Sequence, residues 1–158
     1  MRPGRPAHPN ASPATAAMVQ STKPSVSNWR TMRDREPEAV VAAYLDVLGF
    51  EPDQTEALAG IEAPARKLGL WDELARAFRG APQTPRNTET LAEALAKIAE
   101  WSELAEVRRR QLESATTNVE KAQRAHEIAK LYEQEIGDLD GAIRMLVVAQ
   151  ANVHDDQR

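Results

Sequence analysis

The chain has 158 residues, 42% of them apolar and 4% aromatic, with 20 Lys+Arg against 24 Asp+Glu, ten prolines, three histidines and no cysteine. That is one domain's worth of chain, and the missing cysteine excludes disulfides, thiolate metal sites and cysteine nucleophiles. The net charge of -4 hides two unlike parts: residues 1–35 hold six basic residues against Asp34 alone, net +5, while the rest has 14 basic and 23 acidic residues, net -9.

Residues 1–35 read as a disordered basic leader. Pro3, Pro6, Pro9, Pro13 and Pro24 stand there among Ala, Ser and Thr, and no run has a helical or strand period. An Arg-rich, Ser-containing, nearly acid-free leader is similar to an organellar transit peptide. The alternatives are a flexible arm, or a start codon placed too early with Met18 or Met32 as the real start. Nothing in the chain approaches roughly 18 consecutive apolar residues, and the N-terminus has no apolar secretory h-region, so a soluble cytoplasmic protein is expected.

From Glu36 the apolar residues recur at helical spacing and none alternates long enough for a strand, so the predicted fold is all-α. Val40 and Tyr44 mark a first helix, closed by Pro52. Asp53-Gln54-Thr55-Glu56 is a loose capping box that opens a second, with Leu58, Ile61 and Ala65 on its apolar face. Pro64 predicts a kink or break near residues 62–65, because a mid-helix proline removes a hydrogen bond and crowds the carbonyl of Gly60, at about 3 kcal/mol if unrelieved. Leu74 and Phe78 lie on the next helix, then Leu91, Ala92 and Leu95, then Leu104 with Arg108 at a seam position where its stem can snorkel. Thr117-Asn118-Val119-Glu120 is a full capping box. It opens the clearest stripe, Ala122, Ala125, Ile128, Ala129, Tyr132 and Ile136, and Gly137-Asp138 then turns the chain into Leu139, Ala142, Ile143, Leu146 and Val147, over 139–150. Residues 153–158 read as a polar tail.

Trp71-Asp72-Glu73-Leu74-Ala75 returns 30 residues later as Trp101-Ser102-Glu103-Leu104-Ala105, with Lys67-Leu68 matched by Lys97-Ile98. Self-similarity at this period is the sign of stacked helix pairs, each too small to bury its apolar face alone. Over residues 36–152 the pattern resembles the tetratricopeptide repeat. The best unit keeps Ala125, Ile128, Ala129 and Tyr132 on its first helix and Ala142 with Leu146 on its second, with a turn one residue longer than the family norm and His154 where the family has Pro. Two units are divergent and one is a half, whose first helix would have to come from residues 26–33. The resemblance implies a short α-solenoid of antiparallel helix pairs; an irregular helical bundle has the same periodicity.

The resemblance also implies a peptide-binding groove lined by first-helix polar positions: Arg66, Lys67, Glu89, Glu93 and Lys97, then Gln123, His126, Lys130, Glu133 and Gln134. Lys67, Lys97 and Lys130 form a basic row suited to an acidic or C-terminal peptide segment, unless they are ordinary solvated lysines. The last helix lacks a full polar cap, which predicts exposed apolar surface and association through Leu139, Ile143, Leu146 and Val147, as a homo-oligomer or as one piece of a longer array. Trp71 and Trp101 are expected to be packing wedges.

No catalytic constellation is present. His126-Glu127 lacks a second zinc-protease histidine, and Asp138-Leu139-Asp140-Gly141 has too few oxygens for a calcium loop. Arg108-Arg109-Arg110 has Glu103, Glu106 and Glu113 within helical reach, in an acidic domain, which disfavours nucleic acid. The expectation is a non-enzymatic scaffold or adaptor without metal, cofactor or membrane contact. The alternatives are a helical accessory or catalytic domain of a larger enzyme system, or an RNA-processing half-repeat protein.

Overall fold

A computed structural model describes residues 36–156. The leader, Trp29 and the 26–33 stretch lie outside the described residues. Seven α-helices follow: α1 (Pro37–Phe50), α2 (Thr55–Leu68), α3 (Trp71–Arg79), α4 (Pro85–Lys97), α5 (Trp101–Ser114), α6 (Asn118–Leu131) and α7 (Leu139–Asp156). One π-helical turn, Tyr132–Ile136, extends α6. The described residues contain no strand.

The starts of α2, α4 and α6 share one device. Side chains at the N-cap accept a backbone N–H of the first turn: Gln54 from Glu56 at 3.3 Å, Thr84 from Asn87 at 3.2 Å and Thr117 from Glu120 at 3.1 Å. The capping residue of α2 is thus Gln54, not Asp53, because the helix begins one residue later than the loose box implies. Thr84 escaped the sequence reading; its signal is the proline that follows it at the first helical position.

The ends of α2 and α4 repeat each other atom for atom. Leu70 N–H reaches the Ala65 carbonyl at 2.8 Å and Glu100 N–H reaches that of Leu95 at 3.0 Å, each bond spanning a left-handed residue. In the first turn that residue is Gly69, at φ 70°; in the second it is Ala99, at φ 60°. Trp71 and Trp101 then open the next helices, half-buried against the core. An L-residue pays about 1–2 kcal/mol in the left-handed region and glycine does not. Ala99→Gly is therefore expected to stabilise the protein by about 0.5–1 kcal/mol, after the extra flexibility of the unfolded glycine chain is deducted. A urea titration checks it; an unchanged or lower midpoint contradicts it.

The third such turn carries one residue more. Asp138 N–H bonds to the Tyr132 carbonyl at 2.9 Å, again across a left-handed glycine, Gly137 at φ 80°. The extra residue is taken up by widening the last turn of α6 into a π-helix, so the hairpin closes as the others do. Asp138 then caps α7, its Oδ1 accepting the Gly141 N–H at 2.9 Å.

Helices pack chiefly on their neighbours in sequence, with α1 also reaching α3. The main core runs from Val40 to Val107, and its largest fully buried side chains include Phe78, Ile61, Leu74 and Leu95. Much of the rest is alanine, which lets the helices approach closely. Pro64 does not break α2, which is continuous from Thr55 to Leu68. Ile61 and Ala65 on either side of it are fully buried, and that burial holds the helix through the missing hydrogen bond.

The last helix is longer than its sequence stripe indicated. Residues 153–156 are helical, not a tail, and α7 passes through His154. No glycine or proline interrupts the run after Gly141, and Asn152 donates its side-chain amide to the Val148 carbonyl at 2.8 Å. No described helix is long and apolar enough to cross a membrane.

Candidate functional site

Several predicted groove residues are tied into the fold. Arg66 on α2 donates to Glu93 on α4 at 2.6 Å and to Glu62 on its own helix at 2.9 Å, and Arg86 on α4 also reaches Glu62 at 3.1 Å. The Glu93 hydrogen bond, with the Glu62 pair behind it, holds the Arg66 guanidinium above its ordinary pKa against the opposing pull of burial. Glu89 on α4 meets Arg108 on α5 at 2.8 Å, Gln111 at 3.1 Å and Arg124 on α6 at 3.9 Å. Buried Gln111 accepts from Arg108 at 2.9 Å. This network joins three consecutive helices. Arg108 is thereby half-buried as its seam position implied, but its partner is Glu89 on the neighbouring helix and not an acid of its own helix. Near it, a cavity of about 330 Å³ is lined by Thr88, Arg110, Gln111 and Arg124 among others, most of them already engaged in the network.

A second cross-link, Arg79 to Glu103 at 2.8 Å, joins α3 to α5. It raises the Arg79 pKa and, through the same hydrogen bond, lowers that of Glu103. Burial pushes the Glu89 carboxyl up, but the hydrogen bonds from Arg108 and Gln111 and the charge of Arg124 outweigh it, so Glu89 also lies below the usual carboxylate range. A depressed carboxylate adds stability that is fully present above its unfolded pKa of about 4.3 and lost as the pH falls through the folded value. Stability should therefore hold from neutrality to about pH 4.5 and weaken below it, and Arg79→Met should reduce that acid slope. Urea midpoints between pH 7 and pH 3 measure this; an acid slope identical in the variant contradicts it.

The three lysines occupy one register, each thirteen residues after its helix's N-cap. Their surroundings differ. Lys97 lies over the Trp71 ring at 5.6 Å from its centroid, a cation–π contact. Lys67 is exposed, with no ion pair among the described residues. Lys130 lines a cleft at the far end of the molecule.

That cleft, of about 730 Å³, opens between α6 and α7. Gln123, His126 and Lys130 line its α6 side with Ala122 and Glu127; Leu146, Ala149, Gln150 and Val153 line its α7 side. The structure so brings three residues of the predicted groove beside Leu146 of the predicted open end. Glu133 and Gln134, on the π turn, are exposed and do not line it. Val153 lies beyond the predicted end of α7 at Gln150, although it continues the heptad spacing from Leu146; Ala149 lies inside that range and continues the spacing from Ala142, but no stripe residue was assigned there.

The orientation of α7 is unusual for a helix at a protein surface. Its fully buried residues are small, Gly141, Ala142 and Ala149, with Met145 and Val148 half-buried, whereas Leu139, Ile143, Leu146, Val147 and Val153 are 63%, 58%, 43%, 60% and 49% exposed. An amphipathic helix ordinarily buries its large apolar residues and exposes polar ones. Here Leu139, Leu146 and Val153, seven residues apart, make an outward apolar stripe about 21 Å long, widened by Ile143 and Val147.

Comparison with protein-family models, with curated proteins and with solved structures finds no match to this chain. Among the described residues no group of three or more His, Cys, Asp or Glu could hold a metal ion.

Proposed function

We propose that this chain is a protein–protein interaction module, a short tetratricopeptide-like stack that acts as an adaptor by holding an amphipathic helix in the α6–α7 cleft. The single observation that carries this reading is the outward turn of α7's large apolar residues beside an open cleft. The packing order supports a helix as the occupant: α4 packs on α3 and α6 packs on α5, each hairpin's first helix on the last helix of the hairpin before it, so the outer face of α7 is the surface on which a further helix would pack. His126 and Lys130 on the α6 rim favour an occupant with acidic or polar residues flanking its apolar face.

A basic groove along Lys67, Lys97 and Lys130 is the weaker reading, since Lys97 is engaged by Trp71 and both Arg66 and Glu93 are engaged by each other. The test is a displayed library of amphipathic helices panned on the full chain. Helices should be selected by the wild type and lose binding to Leu146→Glu/Val153→Glu, a variant changed only at exposed or half-exposed positions. Selection of no helix, or of helices that bind the variant equally well, overturns the reading.

A further inference from the structure

Deepening that reading, we infer that the helix seated on the α7 stripe is α7 of a second copy of this chain, in a two-fold symmetric antiparallel pair. Three observations carry it. First, Leu139, Leu146 and Val153 repeat at the seven-residue interval of a helix–helix seam, with Ile143 and Val147 beside them, so the surface matches a helix rather than an extended strand. Second, the exposed large apolar residues of the described chain are five on α7 and two isolated ones, Phe50 and Val119. A two-fold operator buries the α7 stripe of both copies in one step, whereas pairing α7 with another face of a second copy meets no comparable stripe and leaves an open-ended contact.

Third, the polar residues beside the stripe fit the antiparallel arrangement. With the axis near Leu146 and Val147, Leu139 lies near Val153 of the second copy and Ile143 near its Gln150. Asp140 then comes near the imidazole of its His154, which can donate a hydrogen bond. The two helix dipoles also oppose each other. The contact continues inward on the α6 rim at Gln123 and His126, which face the same cleft.

One helix stripe with one cleft wall is smaller than the roughly 800 Å² per partner of a stable complex, so the dimer should be a weak one, with a dissociation constant of about 1–100 µM. Sedimentation velocity of the full chain between about 1 and 300 µM should show the sedimenting mass rise towards twofold, and Leu146→Glu should hold it at the monomer value with unchanged helical circular dichroism. The absence of cysteine allows an independent check. Val147→Cys, close to the axis, should form a disulfide-linked dimer under mild oxidation, and Phe50→Cys, on α1 and equally exposed, should not. A monomer throughout that range, a series of open-ended oligomers, or equal cross-linking of the two cysteine variants overturns the inference. If such a monomer still selects displayed helices through Leu146 and Val153, the adaptor reading stands and the occupant is a different protein. If it selects none, both fall.

Discussion

Phe78→Ala is expected to cost about 3–5 kcal/mol of folding stability, the largest effect of any single truncation in the chain. Phe78 is 1% exposed and is the bulkiest of the fully buried side chains. It sits on the shortest α-helix, α3, whose nine residues bury Leu74, Ala75, Ala77 and Phe78 fully, with Trp71 half-buried beside them. A helix of that length has little stability of its own and depends on tertiary packing. A fully buried ring leaves a cavity when it is truncated, and the cost of that cavity adds to the lost burial. Domains of this size have about 5–15 kcal/mol in total, and the melting temperature should fall by roughly 10–20 °C. Thermal unfolding followed by circular dichroism measures it. A drop of less than about 1 kcal/mol would mean that α3 does not carry the core in this way.

Gly60→Ala should destabilise the protein as well, although alanine favours a helix over glycine by about 1 kcal/mol. A methyl group at this position would overlap the ring of Tyr44, its contacts falling on Cζ and the hydroxyl oxygen. Tyr44 is itself only 8% exposed, held in the α1–α2 interface among Val40, Val41 and Leu48 of the same core. The ring must shift to admit the methyl group, and its burial in the core resists that shift. Overpacking of this kind costs about 1–3 kcal/mol, which exceeds the gain in helix propensity, and the net loss should be about 1–2 kcal/mol. A urea titration of the single variant gives the sign. A more stable Gly60→Ala protein would show that Tyr44 moves aside freely, and that glycine is not required for the close approach of α1 to α2.

These two sites also show which parts of the fold were legible in the sequence. The tryptophan repeat at Trp71 and Trp101 located two turns whose hydrogen bonds proved equivalent, because a local motif of turn and helix start is written in consecutive residues. Gly137 and Thr117 were legible for the same reason. At Pro64 a break does not occur: α2 runs on through it, held by the tertiary burial of Ile61 and Ala65, and burial is not a local property. The end of α7 was placed at Gln150 on the strength of the polar residues that follow; a run of Asn, His and Asp reads as a tail when composition is weighed without the Val153 that continues the stripe.

For the candidate site, the residue types were legible and their companions were not. Leu139, Ile143, Leu146 and Val147 were identified as surface-exposed apolar residues, and they are exposed. Periodicity alone could not say that alanines, and not these larger residues, pack on α6, since both sets repeat at helical spacing. Nor could it separate Lys130, which lines the cleft, from Lys97, which covers a tryptophan. The two lysines occupy the same register and differ only through three-dimensional neighbours contributed by other helices. Arg66 and Glu93 present the same lesson. Both stand at first-helix polar positions, 27 residues apart, and the fold brings α2 and α4 near enough for Arg66 to donate to Glu93.

Pairing of α7 with a second copy decides whether this face works alone or for another protein, and amide chemical shifts of the 158-residue chain over a concentration series read it residue by residue. Shift changes are expected along the α7 stripe from Leu139 to Val153 and on the facing α6 residues from Ala122 to Lys130, with Lys67 and Lys97 unmoved. Changes centred on Lys67 and Lys97 would move the contact to the other end of the molecule, and no concentration-dependent change at any amide would contradict the α7 pairing.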